Sequence, residues 1–256
     1  MRKIFLLLMI IFAVSGCGNN DKEASQVGAI TQLNTTPKAG VTFFDNFNSM
    51  QMALASKNID GIQTYGSVAK YMTANNSDFE IKETQTVKLV DDFCCAMRED
   101  DTALINAFDG AIDSIKADGT LDALIDKYIT NFETPTPIDI PQIDGAEVIR
   151  VGITGDLPPL DLVLADGTPA GFNTAVLAEI SKRIGKNMEL VQIDSGARAA
   201  ALTSELVDVI FWVVVPADDS GRPKDLDTPE GVSVTEPYDQ ATVVNVNLST
   251  LAAGMN

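Results

Sequence analysis

The 256-residue sequence predicts an α/β protein built from two similar lobes. Short apolar runs of β-type residues alternate with segments whose apolar residues recur every three to four positions. This alternation is typical of a mostly parallel sheet covered by helices. A proline-rich segment at 132–146 interrupts the alternation. A ten-residue pattern at 53–62 is repeated at 201–210, with one copy on each side of that segment.

The part of the chain before the proline-rich segment predicts five strands and four helices. Apolar runs place the strands at 27–30, 41–44, 59–65, 79–84 and 93–97. Asn48 or Ser49 is the expected cap of the first helix, and Ser67 and Thr120 begin two later ones. Another helix is predicted by an apolar stripe over 104–115. We interpret such stripes as faces that pack against the core.

The proline-rich segment is predicted to be a linker, because its prolines cannot continue a helix or a central strand. After it the alternation resumes. The expected strands lie at 148–153, 188–193 and 207–215, and the expected helices lie at 173–184, capped by Asn173, and 197–204.

The repeated pattern reads Ala-Leu-x-Ser-x-x-(Ile/Val)-Asp-x-Ile in both copies, at 53–62 and 201–210. Each copy predicts a helix end, a tight turn and a buried strand. Chance is one explanation for five or six matched positions, and two related lobes are the other. The β–α surroundings of each copy favour two related lobes.

Charge and composition exclude several classes of function. There are 18 Lys and Arg against 36 Asp and Glu, and the net charge is −18. Without Arg2 and Lys3, which fall in a segment expected to be removed, 16 basic residues remain and the net charge is −20. Such a surface repels nucleic acid, so no nucleic-acid partner is expected. The absence of histidine excludes Ser-His-Asp and Cys-His centres and His-ligated metals, and we expect no metal and no cofactor.

The N-terminus predicts an exported, lipid-anchored protein. The apolar run at 4–14 is shorter than the ~20 residues of a membrane span and fits a signal peptide at 1–16. Residues 14–17, Val-Ser-Gly-Cys, resemble the bacterial lipobox, in which Cys17 is lipidated and becomes the first mature residue. A flexible tether is expected at 17–26. The alternative is a plain secretory signal with an incidental cysteine.

The two remaining cysteines, Cys94 and Cys95, are adjacent in an apolar run. On a strand they point to opposite faces, so we expect two buried thiols. A vicinal redox disulfide is the alternative.

Several motifs in the second part of the chain occur in a specific order. The strand at 148–153 is followed by Asp-Leu-Pro-Pro at 156–159, Asp-Gly at 166–167 and Gly-Phe-Asn at 171–173, and Thr-Glu-Pro-Tyr stands at 235–238. This series resembles the start and the lobe-to-lobe turn of the extracellular solute-binding proteins of ABC importers, polar-amino-acid type (family 3).

The middle of the chain is similar to the usual ending of the same family. The matching features are the strand 93–98, the acidic helix start at 100–104 and Asp-Gly-Thr-Leu at 118–121. The resemblance therefore covers nearly the whole mature chain, in swapped order. It implies a two-lobed periplasmic-binding-protein-like fold (type II) that is circularly permuted, which close termini make feasible.

The implied division of the chain follows from that order. Residues 27–90 form lobe 2, and residues 91–131 form the C-terminal part of lobe 1. The linker at 132–146 joins the ancestral termini. Residues 147–256 supply the N-terminal part of lobe 1 and the crossover strand.

The resemblance also implies a carboxylate clamp. In the family an arginine after the strand that is here 207–215 holds the ligand carboxylate. Arg222 is the nearest match and Arg198 is a second candidate, while a surface role is the alternative for each. The helix start that offers Gly-Thr-Thr in the family corresponds here to Thr35 and Thr36, without the glycine.

Other positions depart from the family pattern. Tyr65 stands where the family has the Asp that pairs with a ligand ammonium, and valines at 213–215 replace hydroxyl donors. Trp212 is either core or a platform for a flat or apolar ligand. Asp156 and Pro159 complete the expected ligand-binding set. We therefore expect a ligand with an apolar or aromatic body, and poor binding of basic amino acids.

The implied function is that of a substrate-binding lipoprotein of an ABC importer, monomeric and without enzymatic activity. It captures a small solute, an amino acid or related small organic acid, by hinge closure on the extracytoplasmic face of the cell membrane. Its partners are that solute, a permease and, through the lipid, the membrane. One alternative is a dehydratase of the same fold that acts on a cyclic acid, with Asp156 and Asp161 as acid and base. Another is a degenerate sensor or binding lobe.

Overall fold

The computed structural model describes residues 27–30, 41–44, 46–82, 89–131, 135–217 and 231–249. Several expected features lie outside the described residues, namely the signal peptide, the whole tether at 17–26 with Cys17, and the candidate site residues Thr35, Thr36 and Arg222.

Within this part of the chain the structure has thirteen strands. They are β1 (Val27–Ile30), β2 (Val41–Phe44), β3 (Gly61–Tyr65), β4 (Phe79–Lys82), β5 (Val90–Arg98), β6 (Val148–Ile153), β7 (Asp156–Leu157), β8 (Asp161–Val163), β9 (Pro169–Ala170), β10 (Asn187–Gln192), β11 (Val209–Pro216), β12 (Val232–Val234) and β13 (Asp239–Leu248).

The same ranges contain six α-helices. They are α1 (Phe47–Ala55), α2 (Gly66–Asn75), α3 (Thr102–Ala117), α4 (Thr120–Ile125), α5 (Phe172–Ile184) and α6 (Arg198–Thr203). A π-helical turn, Asp126–Thr130, extends α4, and a 3-10 turn, Ser195–Ala197, leads into α6.

Ten strands form one sheet in the order β10-β6-β11-β5-β13-β3-β1-β2, with β12 paired to β5 and β4 paired to β13. Strands β7, β8 and β9 form a small separate sheet. The large sheet is mixed, which corrects the expectation of a mostly parallel one. Its outer pairs are parallel, but β5 and β13 run antiparallel to every strand they pair with.

Strand β13 explains how the sheet is held together. Its first four residues, Asp239–Thr242, pair with β5, and the following residues pair with β3 and β4. We call β1–β4 with α1 and α2 the β3 side, and β5, β6 and β10–β12 with α3–α6 the β5 side. The two sides meet along β13, and this meeting place is called the junction.

Two helix starts differ from the sequence-based expectation. Helix α1 begins at Phe47 because the side chain of Asn46 accepts the N–H of Ser49 at 2.8 Å. Helix α5 begins after Gly171, whose φ of 97° favours glycine, and an added Cβ there would lie 2.7 Å from the Leu160 carbonyl oxygen. Asn173 is therefore not a cap and is buried in the first turn.

The β5 side packs apolar residues on both of its faces. Cys95 belongs to the larger core cluster and Cys94 to a smaller one against α6. Both thiols are free and buried on opposite faces, which confirms that prediction. Burial raises the pKa of Cys94 to about 12 and raises that of Cys95 as well.

Candidate functional site

Three aromatic rings meet at the junction. The Tyr65 ring at the end of β3 lies 4.9 Å from that of Phe93 on β5 and 5.6 Å from that of Trp212 on β11, between centroids. Phe93 and Trp212 lie 4.6 Å apart. We call these three residues the junction cluster. The structure thus brings together Tyr65 and Trp212, two candidates that are distant in sequence and come from different sides.

The junction cluster is closely packed. Phe93 has no exposed surface, while Trp212 keeps 7% and Tyr65 keeps 8% of theirs. Little of either outer residue therefore reaches solvent. Contact of either ring with a flat solute therefore requires the β3 side and the β5 side to move apart.

Arg198 is hydrogen-bonded to the backbone of Trp212 in the junction cluster. The residue is buried at the start of α6, and its guanidinium donates from Nε to the Ser195 carbonyl at 3.1 Å and from Nη1 to the Trp212 carbonyl at 2.8 Å. Its Nη2 takes part in neither bond. These two bonds fix a positive charge beside the backbone of Trp212, in an orientation set by β11 and α6.

Asp156 joins the small sheet to the β3 side. Its Oδ2 accepts the N–H of Phe47, the first residue of α1, at 3.0 Å. This carboxylate lies at the positive end of the helix dipole. A residue predicted to bind ligand therefore contacts the β3 side directly.

Pro159 and Asp161 build the turn that carries Asp156. Pro159 is buried, and its carbonyl accepts the N–H of Phe172 at 3.0 Å, which ties the turn to α5. Asp161 Oδ2 accepts the N–H groups of Thr154 and Gly155 and the hydroxyl of Thr154. Burial raises the pKa of Asp161 despite these bonds, and its buried Oδ1 has no hydrogen-bond partner in the described part of the chain.

Asp239 is a junction residue that sequence reasoning missed. It begins β13 directly opposite Phe93. Burial raises the pKa of Asp239 from 3.8 to about 6, against a smaller lowering by the Gln240 N–H. The sequence did contain an indication that Asp239 lies at the junction, because this residue directly follows the Thr-Glu-Pro-Tyr motif at 235–238. Its burial depends on a strand partner that the sequence pattern did not reveal.

Two further features concern the residues of the described ranges. These residues contain no cluster of three or more Cys, Asp or Glu side chains arranged to hold a metal ion. None of the helices in that part combines the length and the apolar character needed to cross a bilayer.

The family model of the bacterial extracellular solute-binding proteins, family 3, matches residues 28–131 and 149–220, more than half of the chain. The chain therefore belongs to this family. Its fold is the mixed α/β architecture of periplasmic binding proteins, and its role is to bind a substrate. A search of curated protein sequences gave no match.

Several solved structures are similar to this one. A ligand binding component of an ABC-type import system from Staphylococcus aureus, with zinc bound, is 12% identical with a TM-score of 0.44, covering 90% of this chain and 68% of that one. A pheromone cOB1 precursor/lipoprotein of the YaeC family from Enterococcus faecalis V583 is 11% identical with a TM-score of 0.43, covering 90% and 87%. A prephenate dehydratase from Arthrobacter aurescens, in complex with L-Phe, is 11% identical with a TM-score of 0.39, covering 88% and 60%.

Proposed function

We propose that this chain is the substrate-binding lipoprotein of an ABC importer. It is anchored through Cys17 on the extracytoplasmic face of the membrane and delivers a small solute, an amino acid or related organic acid, to a permease. It acts as a monomer and catalyses no reaction. The observation that carries the proposal is the junction cluster, in which side chains from both sides meet beside a shared strand.

The chain crossing at the junction supports hinge closure. Strand β13 passes from β5 to β3 between Thr242 and Val243. The N–H of Val243 donates to the carbonyl of Leu89, just before β5, at 2.9 Å, so the approach to β5 runs beside this crossing. This crossing of β13, with Leu89 hydrogen-bonded beside it, allows rotation of one side against the other while the sheet stays intact. Such a rotation separates Tyr65 from Trp212 and opens space for a solute.

The proposed binding set follows from that geometry. Arg198 supplies a fixed positive charge for a carboxylate, and Trp212 and Tyr65 supply the walls for the body of the solute. Asp156 contributes at the start of α1. We also propose that Arg222, Thr35 and Thr36 take part and that Pro159 supports the site by holding its turn.

The permuted lobe order is part of the proposal. Lobe 2 comprises residues 27–90, and lobe 1 comprises 91–131 and 147–256 with the linker at 132–146 between them. The pairing of β5 with β11, and of β11 with β6, supports this assignment, because strands from before and after the linker lie in the same side.

Calorimetry preceded by a thermal-shift screen tests the function. The full processed chain is screened with the twenty amino acids and a set of small organic acids, because a solute that binds only the folded state raises the unfolding temperature. We expect at least one to bind, with roughly fivefold weaker binding in Tyr65→Ala from a lost ring contact worth about 1 kcal/mol. Tyr65→Phe, which keeps the ring, is the matched control. An absence of binding across the screen contradicts the proposal.

Two other functions have specific support. The small exposed fractions of Tyr65 and Trp212 favour a degenerate sensor that reports to a membrane partner without a solute. The buried Asp161, with its raised pKa and unpartnered Oδ1, favours a dehydratase acting on a cyclic acid. Turnover of such an acid by the wild type and its loss in Asp161→Asn identifies the enzyme.

A further inference from the structure

A hydrogen bond that lies away from β13 joins the two sides of the molecule. Asp156 Oδ2, on β7 of the small sheet, accepts the N–H of Phe47, the first residue of α1, at 3.0 Å. The small sheet is fastened to the β5 side, because the Leu160 carbonyl accepts the N–H of Asn173 on α5 at 2.8 Å. The bond between Asp156 and Phe47, which we call the latch, therefore ties the β5 side to the β3 side.

The chemistry of the α1 N-terminus explains why the latch forms. The first N–H groups of a helix have no partner within the helix. The Asn46 side chain accepts the N–H of Ser49 at 2.8 Å, which leaves the N–H of Phe47 to a group outside the helix. The first turn of α1 contains no acidic residue. Asp156 therefore supplies both a hydrogen-bond acceptor and the negative charge that a helix N-terminus favours.

The turn before Asp156 holds this carboxylate in place on the β5 side. Asp161 Oδ2 accepts the N–H of Thr154 at 3.1 Å and that of Gly155 at 3.0 Å. Gln192 Nε2, on β10, donates to the Thr154 carbonyl at 3.0 Å. Because the turn is fixed at both residues, the latch breaks when the β3 side moves and not when the turn rearranges.

The spacing of the rings in the junction cluster excludes a solute while the latch is formed. Tyr65 and Trp212 lie 5.6 Å apart between centroids, and they expose 8% and 7% of their surface. A flat molecule that contacts both rings needs about 7 Å between them, twice the ~3.5 Å of a carbon–carbon contact. The rings must therefore separate before a solute enters.

Separation of the rings acts directly on the latch. Tyr65 and Phe47 belong to the β3 side, whereas Trp212 and Asp156 are held on the β5 side. A rotation about β13 that moves Tyr65 away from Trp212 carries Phe47 with it. A hydrogen bond at 3.0 Å is lost once its atoms are more than about 0.5 Å farther apart.

We infer that the latch is an autoinhibitory contact, which holds the molecule in a self-closed form, and that a solute binds only after the bond between Asp156 and Phe47 breaks. This inference rests on the proposed function and gives Asp156 a role that precedes contact with the solute. The apparent affinity for a solute is reduced by the fraction of molecules that is open. Weakening the latch raises both that fraction and the affinity.

The rate of oxidation of Trp212 tests the latch without a solute. The reagent is N-bromosuccinimide, which oxidises the indole ring and abolishes its emission, and Trp212 is the only tryptophan of the chain. Because Trp212 is 7% exposed in the closed form, its oxidation rate follows the open fraction. We expect the full processed chain with Asp156→Ala to be oxidised about fivefold faster than the wild type, as is usual for the loss of a helix cap.

The matched control is Asn46→Ala, which removes the other cap at the same end of α1 and leaves the latch intact. Its oxidation rate is expected to stay within about twofold of the wild type, because both partners of its lost bond lie on the β3 side. Asp156→Asn keeps an acceptor oxygen without the charge, so its rate is expected between those of the wild type and Asp156→Ala. Thermal unfolding verifies that each variant is folded. Equal rates for the wild type and Asp156→Ala, or an equal acceleration in Asn46→Ala, overturns the inference.

Calorimetry separates this inference from the proposed function. The probes are L-leucine, L-glutamate and L-arginine, and we expect each one that binds the wild type to bind Asp156→Ala about fivefold more tightly. Weaker binding by Asp156→Ala overturns the inference, assigns Asp156 to the solute and leaves the proposed function standing. Binding of none of these probes, and of no other solute in the screen, overturns the proposed function and with it the autoinhibitory role. The oxidation rates then still decide whether the latch holds the two sides together.

Discussion

The two copies of the repeated pattern adopt the same local structure on different sides of the sheet. Lys57 and Glu205, at matched positions, have φ of 62° and 60° and are the non-glycine residues with positive φ in the described ranges. Their N–H groups donate to the carbonyls of Leu54 and Leu202, the second residue of each copy. The shared pattern therefore encodes the turn by which a helix enters a buried strand.

The copies differ in what holds the aspartate that follows the turn. Asp208, on the β5 side, accepts from the N–H, Nε and Nη2 of Arg150 and from Nη2 of Arg98. Asp60, on the β3 side, is exposed, and its backbone carbonyl accepts from Asn247 Nδ2 at 2.6 Å. The same residue is a partly buried ion-pair centre in one copy and a surface residue in the other.

The copies also differ in how their strands end. Strand β3 stops at Tyr65 and turns directly into α2, whereas β11 continues through Trp212 to Pro216. The two aromatic residues of the proposed site lie in these divergent continuations. The comparison shows that the repeated pattern determines the helix, turn and strand of each copy. The aromatic residues of the candidate site lie after the pattern, where the two sequences differ.

The largest expected difference between the copies is in how much Asp208 and Asp60 contribute to the free energy of unfolding. Asp208→Ala removes the carboxylate that Arg150 shares with Arg98, while Arg98 keeps its ion pair with Asp101 at 2.8 Å. The loss of these charge-assisted hydrogen bonds is expected to lower the free energy of unfolding at pH 7 by about 2 kcal/mol. Asp60→Ala is expected to cost about 0.5 kcal/mol, as is usual at the surface. Urea denaturation of both variants measures the difference.

The pH dependence of Asp208→Ala has a definite sign. Burial tends to raise the pKa of Asp208, but the bonds from Arg150 outweigh it and the pKa is lowered. Its contribution is therefore present above the unfolded pKa of about 3.9 and is lost as the pH falls through the folded value. The cost of Asp208→Ala should shrink below about pH 4. Equal costs for Asp60→Ala and Asp208→Ala at pH 7 contradict the comparison.

Asp239→Asn is expected to stabilise the strand that joins the two sides. Raising the pKa from 3.8 to about 6 makes the ionised carboxylate unfavourable in the folded state, so the penalty is absent near pH 4 and complete above pH 7. Because the side chain is partly exposed, we expect a gain of about 2 kcal/mol at pH 7.5. Chemical denaturation across pH 4 to 8 measures it. A variant less stable than wild type at pH 7.5 contradicts this description of Asp239.

The smallest expected effect lies at the two turns themselves. Lys57→Gly and Glu205→Gly relieve the left-handed backbone of a residue with a Cβ, and each is expected to raise the free energy of unfolding by about 1 kcal/mol. Lys57→Ala and Glu205→Ala remove the charges but keep the Cβ, and they are the matched controls. A gain in only one glycine variant, measured by denaturation, contradicts the equivalence of the two turns.

Local sequence was sufficient for several elements. Strands β1, β2 and β6 lie at the predicted residues because continuous runs of β-type residues define a strand without reference to its neighbours. The start of α5 differs from the prediction, because the positive φ of Gly171 decides where that helix begins. Asn173 accepts a hydrogen bond from the Tyr238 hydroxyl instead of capping the helix.

The remaining features depend on contacts between distant segments. The antiparallel strands at the centre of the sheet were not predicted, because nothing in the run at 239–248 indicates which two strands it will join. Tyr65 and Trp212 were chosen from their positions, but their contact with Phe93 required the three-dimensional pairing. Asp239 was not predicted as a site residue, because its burial depends on the pairing of β13 with β5 and not on its neighbours in sequence.

The central claim is that a solute binds at the junction, between the β3 side and the β5 side. Trp212 is the only tryptophan of the chain and belongs to the junction cluster, so its fluorescence reports this place without a label. The measurement is a titration of Trp212 emission with a solute whose binding calorimetry has established. The account predicts a saturable change in emission with the calorimetric dissociation constant. Saturating binding by calorimetry with unchanged Trp212 emission would contradict it.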